Sequence, residues 1–465
     1  MVRTLTSAAL LVPIICLPLR AQAPKKQLPR APVATNMFLA SATQTMPPGA
    51  AGSGSSAPAT LTRQQAEQIA LANNPGIHVG QLLAKAEHEV VRETRSGELP
   101  SLNGDLTAVE AKEASRISAG SLSASRLLEH AGMGVQLRQL ITDFGHTQNL
   151  VASAKLTEKA RLADAEATRA DIVLAADQVF YQALEAQATL KVAQQTVASR
   201  QTMVDRVKAL TSAKLKSDLD LSFVQVNLSQ AKLLQLDAQN SLDAAMAALD
   251  SVLGYDHPTN YTLVADTGAL QALPPAADLL IASAIQNRPD LQSLQWSEQS
   301  AKKFSRAQHE QFLPTISALG VAGRTPVGSS QYFNSDWYGA VGVNLSVPIF
   351  NGFRLAAQAS EASLGAKAAT EQTRVLRDQI VRDVRTAWLN ANTALQRVTV
   401  TDELLRQANL ALNLSQTRYK LGLSSIVELS QAQLQQTQAA IGNANARSQY
   451  GFAMSALRFQ TGTRP

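Results

Sequence analysis

The spacing of apolar and polar positions changes from helical to alternating and back, and the same succession occurs twice. A helical stretch covers 62–98, and another covers 276–312; each is interrupted near its start by a proline, Pro75 or Pro289. Thr62 is placed to cap the first. Leu99-Pro100 and Leu313-Pro314 then end the helices, because proline cannot continue one. Period-two segments follow. In the clearest, Val341, Val343, Leu345 and Val347 share one face, and Gly342, Asn344 and Ser346 share the other. Leu102–Ala108, Met133–Ile141 and Thr315–Val321 read as strands in the same way. The helical period then returns over very long runs. Residues 146–213 contain neither Gly nor Pro, and 353–421 contain only Gly365.

The duplication shows in paired residues. Asn74-Pro75 matches Arg288-Pro289, and Leu99-Pro100 matches Leu313-Pro314, at an offset of 214. Gly145 pairs with Gly352, and Tyr181 with Trp388, at 207. Ser217, Asp220, Leu221, Ser222 and Gln225 pair with Ser425, Glu428, Leu429, Ser430 and Gln433 at 208. The chain therefore divides into a first repeat, 61–254, a connector, 255–274, and a second repeat, 275–462.

Each long run would make a helix of about 100 Å. Such a length needs coiled-coil-like neighbours. The stretches 62–98 and 217–252, about 55 and 54 Å long as helices, together match it. The expected unit is a long helix flanked by two shorter ones, with strands at one end and the Ser217 and Ser425 turns at the other. No run of roughly 18 apolar residues exists beyond the first residues, so no transmembrane helix is expected. Alternating strands can instead enter an outer membrane as a barrel, which takes about eight strands or more. Four strands per chain cannot close one, and an open edge is forbidden in lipid. The barrel must be shared between subunits.

Composition narrows the classes further. Aromatic residues make up 5% and charged residues 17% of the 465 positions. This suits close-packed helices rather than an enzyme core rich in large rings. One cysteine excludes a disulfide scaffold or a cysteine-based zinc fold. Residues 1–23 read as a signal peptide: Arg3, an apolar stretch Leu10–Leu19, and Ala21-Gln22-Ala23 as cleavage site. The cysteine, Cys16, lies inside it, in a context unlike a lipoprotein signal. Residues 24–60, rich in Pro, Ala, Ser, Thr and Gly, read as a flexible arm. Without Arg3 and Arg20 the charge falls from +6 to +4, too weak and dispersed for a nucleic-acid partner. The six histidines lack metal-ligand spacing and no nucleophile motif occurs, so neither catalysis, a metal nor a cofactor is expected.

The run Leu345-Ser346-Val347-Pro348-Ile349-Phe350-Asn351-Gly352-Phe353-Arg354 resembles the TolC-type outer membrane efflux protein family. Leu140-Ile141-Thr142-Asp143-Phe144-Gly145 resembles the variant of that junction without proline. Ala72-Asn73-Asn74-Pro75, Asn287-Arg288-Pro289-Asp290-Leu291 and Arg418–Leu429 are similar to further family segments. The resemblance implies a mainly α fold with a small β part. Three chains would share a twelve-strand barrel in outer membrane lipid and an α-helical tunnel across the periplasm. It implies a passive exit duct served by an inner-membrane transporter and a periplasmic adaptor. A type I secretion channel shares this architecture, and a periplasmic coiled-coil adaptor is a further alternative.

The resemblance also points to site residues. The family's gate tyrosine and first gate aspartate fall on Tyr419 and Glu428; Ser424 and Gln431 stand where a family Arg and a second Asp are found. Three Glu428 side chains would form an acidic ring favouring cations, with Asp218 and Asp220 adding to it. The same acids also suit the first turn of a helix, and Tyr419 also suits interhelical packing. Leu215, Lys216, Gly422, Leu423 and Ser424 are the candidate adaptor contacts, with Gly422 expected where a Cβ would clash. Phe144, Gly145, Pro348, Phe350 and Gly352 mark the strand–helix junctions. Phe144, Phe312 and Phe350 at one level, and Tyr332, Phe333, Trp337 and Tyr338 at the other, suit an aromatic girdle.

Overall fold

A computed structural model describes residues 59–109, 116–117, 125–126, 130–265, 272–324 and 337–463. The signal peptide, most of the arm, Tyr332 and Phe333 lie outside the described residues. The elements run β1 (Ala59–Leu61), α1 (Arg63–Asn73), α2 (Pro75–Ser96), β2 (Ser101–Val109), β3 (Arg116–Ile117), β4 (Ser125–Arg126), β5 (His130–Thr142), α3 (His146–Ser212), α4 (Asp218–Leu253), β6 (Tyr261–Leu263), α5 (Ala277–Asn287), α6 (Pro289–Glu310), β7 (Thr315–Arg324), β8 (Trp337–Ser346), α7 (Arg354–Lys420) and α8 (Ile426–Gln460).

The long helices α3 and α7 each have 67 residues, which is about 100 Å of helix. Helices α1, α2 and α4 pack on α3, while α5, α6 and α8 pack on α7. The two repeats join through α3, which also contacts α6 and α8. One layer therefore runs α2-α3-α6-α7 beside the sheet and α4-α3-α8-α7 beside the turns. Its outer members, α2 and α4 on one side and α7 on the other, carry exposed apolar residues such as Leu82, Phe223, Leu233, Leu404 and Leu414.

The four long strands form one antiparallel sheet in the order β2-β5-β7-β8, leaving β2 and β8 as edges. Register defines its faces, since directly paired residues point the same way. Val341 faces Gly320, Gly320 faces Leu137, and Leu137 faces Leu102. The same face carries Leu345, Val343, Ile316, Val135, Met133 and Leu106. The other carries Asn344, Ser346, Ser317, Gln136, Arg138, Asn103 and Asp105. Leu102, Leu106, Met133, Val341, Val343 and Leu345 are exposed, so the apolar face is bare within one chain. Among the described residues no helix is long and apolar enough to cross a membrane.

Both repeats bend their first helical stretch the same way. Asn74 caps α2 by accepting from the Gly76 N–H at 2.9 Å, with Pro75 in the first turn. Its Nδ2 donates to the Val252 carbonyl at 3.1 Å, tying the bend to the end of α4. In the second repeat Arg288 takes that place: its guanidinium pairs with Asp290 at 2.6 Å and donates to Gln460 Oε1 at 2.5 Å. Each bend receives the glycine that ends the matching helix. Gly254 has φ 81° and Gly462 φ 65°. A Cβ on Gly254 would lie 2.9 Å from the Asn73 carbonyl oxygen, and one on Gly462 2.9 Å from the Arg288 nitrogen.

Two features depart from the sequence reading. The long helices start at 146 and 354 and end at 212 and 420, so their true offset is 208 throughout. The 207 pairings are therefore one residue out of step: Gly145 matches Phe353, Gly352 matches Phe144, and Trp388 matches Phe180. Phe180 and Trp388 sit in corresponding cores, one packed with Leu249 and Leu253, the other with Tyr450 and Leu457. Second, Ala59 and Thr60, assigned to the arm, form β1, which pairs in parallel with β6 of the connector. Gln187 holds β6 against α3: its Nε2 donates to the Leu263 carbonyl at 2.9 Å, and its Oε1 accepts from Leu263 N–H at 3.0 Å. Strands of three residues are too short to leave a period.

Candidate functional site

The two ends of the helical layer hold the candidate residues. At the sheet end, α3 and α7 each begin after two left-handed residues. Phe144 (φ 55°) and Gly145 (φ 109°) precede α3, while Gly352 (φ 63°) and Phe353 (φ 65°) precede α7. A phenylalanine in this region is uncommon and needs its surroundings to hold it. Asp143 stabilises the first junction, accepting from Gly145 N–H at 3.2 Å and Thr147 N–H at 2.8 Å. Asn351 does so in the second, accepting from Leu355 N–H at 3.2 Å. Phe350 and Phe353 meet edge to face at 5.7 Å and are exposed, as are Phe144, Phe312 and Pro348. At the far end of β8, Trp337 lies on the apolar face with the Arg324 guanidinium 5.9 Å from its ring. Tyr338 does not join it. It points to the polar face, where a Cβ on Gly323 or Gly134 would meet its hydroxyl.

At the opposite end two turns join α3 to α4 and α7 to α8. They share one backbone. Lys214 N–H donates to the Thr211 carbonyl and Leu215 N–H to Leu210; Gly422 N–H donates to Tyr419 and Leu423 N–H to Arg418. Both are Schellman ends, with Lys214 (φ 57°) and Gly422 (φ 75°) in the left-handed position. A Cβ on Gly422 would meet nothing within 4 Å. The expected clash is thus corrected: glycine serves the dihedral there, not space. Leu215 and Leu423, which follow, are 69% and 66% exposed.

The caps differ. Ser217 and Asp220 form a reciprocal box: Asp220 N–H donates to Ser217 Oγ at 3.1 Å, and Ser217 N–H to Asp220 Oδ2 at 3.3 Å. Ser425 accepts from Glu428 N–H at 3.2 Å, but the Glu428 carboxylate crosses to Arg418 of α7, Nε to Oε1 3.2 Å. Asp218, the first residue of α4, is exposed. Tyr419 is 5% exposed and packs with Val207, Val224, Leu228, Ile426 and Leu429, side chains from both repeats. Lys216 Nζ lies 4.7 Å from its ring centre. Burial, with Asp220 nearby, raises the phenol's pKa against the opposing pull of Arg206, so it is a donor at neutral pH.

The structure thus brings Tyr419 to Lys216 and Asp220, and Glu428 to Arg418. Among the described residues no hydrogen bond links Tyr419 to Glu428. Sequence reasoning passed over Arg418 and Arg206. Arg418 was legible as a base next to the tyrosine; Arg206 was not, because only the packing of α3 against the second repeat brings it here. Around the turns Arg206, Lys208, Lys214, Lys216, Arg418 and Lys420 outnumber Asp205, Asp218, Asp220 and Glu428. The tip is net basic, against the acidic balance that the carboxylates alone suggest.

A long helical layer continued by an open, amphipathic sheet is one subunit's share of a duct. The family model for outer membrane efflux proteins matches residues 67–255 and 280–463, once in each repeat. The chain belongs to the outer membrane efflux protein family. It is 22% identical over 412 residues to outer membrane protein TolC of Salmonella enteritidis, a match covering 86% of this chain and 81% of that one. The crystal structure of outer membrane protein VceC from Vibrio cholerae agrees at TM-score 0.72 and 18% identity, covering 86% of this chain and 96% of VceC. The Campylobacter jejuni CmeC outer membrane channel agrees at TM-score 0.74 and 16% identity, covering 92% and 94%. The protein is an outer membrane exit duct for efflux.

Proposed function

We propose that three copies of this chain close, edge to edge, into a twelve-strand barrel continued by a helical tunnel, and that the tip turns form its gate. The observation carrying this reading is the coincidence of open edges. The sheet ends on β2 and β8, and the helical layer ends on α2 and α4 on one side and α7 on the other. Bare main-chain groups at β2 and β8 would be untenable in lipid. Both layers are therefore completed together by neighbours placed at the same two borders. The apolar face then turns to lipid and the polar face to the lumen. The exposed leucines of α7 meet α2 and α4 of the next copy. Leu404→Glu with Leu414→Glu is expected to abolish heat-resistant trimers while leaving the monomer's own cores intact, as read on unheated gels.

The tunnel has no motor, so an inner-membrane transporter must drive the substrate and a periplasmic adaptor must connect the two. Leu215 and Leu423, with Lys216, Gly422 and Ser424, offer the adaptor two equivalent apolar knobs. Tyr419, Asp218, Asp220 and Glu428 set the rest position of the turns. Replacing both leucines by glutamate is expected to lower drug resistance with trimer yield unchanged. Full resistance in that variant would remove these knobs from the adaptor contact.

A further inference from the structure

One cavity lies beside Tyr419 near the tip. It has 240 Å³, and its walls include Thr202, Met203 and Arg206 of α3, Tyr419 and Lys420 of α7, and Gln433 of α8. No acidic residue lines it. Two of its buried walls end in donors without a partner: Tyr419 Oη, on a side chain 5% exposed, and Gln433 Nε2, on one 6% exposed. A third buried donor lies close by. Thr196 meets Thr437 at 3.4 Å, a register that sets Arg200 level with Gln433, and Arg200 Nη1 is buried without a partner. Burial alone lowers the Arg200 pKa.

Buried donors without an acceptor are unfavourable, so the site is starved of acceptors. Asp220 is near enough to act on the Tyr419 phenol through its charge, yet no carboxylate is hydrogen-bonded to these three donors. Asp205 accepts from Gln201 at 2.9 Å, Asp220 completes the Ser217 cap, and Glu428 pairs with Arg418. Two cations, a phenol and an amide around a space of several water volumes match a tetrahedral oxyanion, with many acceptor oxygens and a negative charge.

We propose that this cavity binds an inorganic oxyanion of the phosphate or sulfate type, and that the bound ion ties the two hairpins of one chain together at the tip. The ion would bridge α3 of the first repeat to α7 and α8 of the second. In that position it opposes any parting of the hairpins; this consequence rests on the tip being the gate.

The test uses purified full-length trimers in detergent. Sulfate and phosphate are titrated by calorimetry against chloride at matched ionic strength. The expected result is saturable binding of either oxyanion, one per chain, weakened at least tenfold by Arg206→Gln and by Tyr419→Phe. Lys420→Gln, at an exposed position, gives the same reading should the buried change perturb folding. Absence of saturable binding, or binding indifferent to these changes, overturns the site; a neighbouring chain's carboxylate filling the cavity would give that result. Conductance of the same trimers in bilayers, scaled to the bulk conductivity of each salt, is expected to fall as sulfate replaces chloride, and to fall less in Arg206→Gln. Binding without that scaled fall overturns the tie, while the site and the gate reading stand.

Discussion

Gly254, after α4, and Gly422, after α7, stand in the same left-handed conformation, φ 81° and 75°, in opposite surroundings. Gly254 is wedged against the backbone of the α1–α2 bend, as Gly462 is against α5–α6; a Cβ on Gly422 would meet nothing within 4 Å. The packed pair fixes where the short helices meet the long ones, halfway along the layer. The same turn chemistry therefore serves as a packed joint in one place and as an unpacked end in the other.

The largest effect is expected at the joints. Gly254→Ala or Gly462→Ala combines an unfavourable dihedral with close overlap on main-chain atoms. Each should cost about 3 kcal/mol and reduce trimer yield and melting temperature together. A mild effect at either would show that the bends are not rigid.

The joint region also holds a proton-linked contact. Arg63, Glu67 and Asp177 are buried between α1 and α3, with the Arg63 guanidinium bonded to Glu67 and 3.6 Å from Asp177. Burial first, then the hydrogen bond and charge of Asp177, push the Glu67 pKa from 4.5 to about 7, against Arg63 and Arg458. Between those values the folded chain keeps a proton that the unfolded chain has released. Stability should therefore fall as pH rises through this window and level off above it. Melting curves from pH 4.5 to 8 check this; Glu67→Gln should flatten the dependence.

Smaller effects are expected at the tip. Gly422→Ala meets no atom and carries only the dihedral penalty, about 1 kcal/mol, with trimers retained. Lys214→Gly is the mirror test: it relieves the strain at the matching turn and should stabilise by about 0.5 kcal/mol. Equal penalties for Gly254→Ala and Gly422→Ala would erase the distinction between joint and end. Smallest is Glu428→Gln. It removes an exposed pair with Arg418, worth about 0.5 kcal/mol at most, and should change conductance more than stability.

What the sequence disclosed was local. Thr62 caps α1 with Gln65, Pro75 opens α2, and Ser217 with Asp220 opens α4, because each acts within a few residues. Alternation at 341–347 declared a strand, since one face meets a different medium from the other. The left-handed Lys214 was hidden, because nothing in a lysine announces such a φ. The pairing of β1 with β6 was hidden by its length. The tip cavity was invisible for a different reason. It exists only where α3 of one repeat meets α7 and α8 of the other, and no periodicity within either repeat encodes that meeting.

The most direct measurement is of the edges. Within one chain β2 and β8 are separated by β5 and β7, about 14 Å across three strand spacings, too far for a disulfide. Apart from Cys16 the chain has no cysteine. Cysteines are therefore placed in pairs, one scanned along Ser101–Leu106 in β2 and one along Gly342–Ser346 in β8, and oxidised in outer membranes. At the pairs that face each other, a covalently closed trimer that resists boiling and collapses on reduction is expected. Monomer alone at every pair, or an unlimited ladder of higher species, would contradict a barrel closed by three chains.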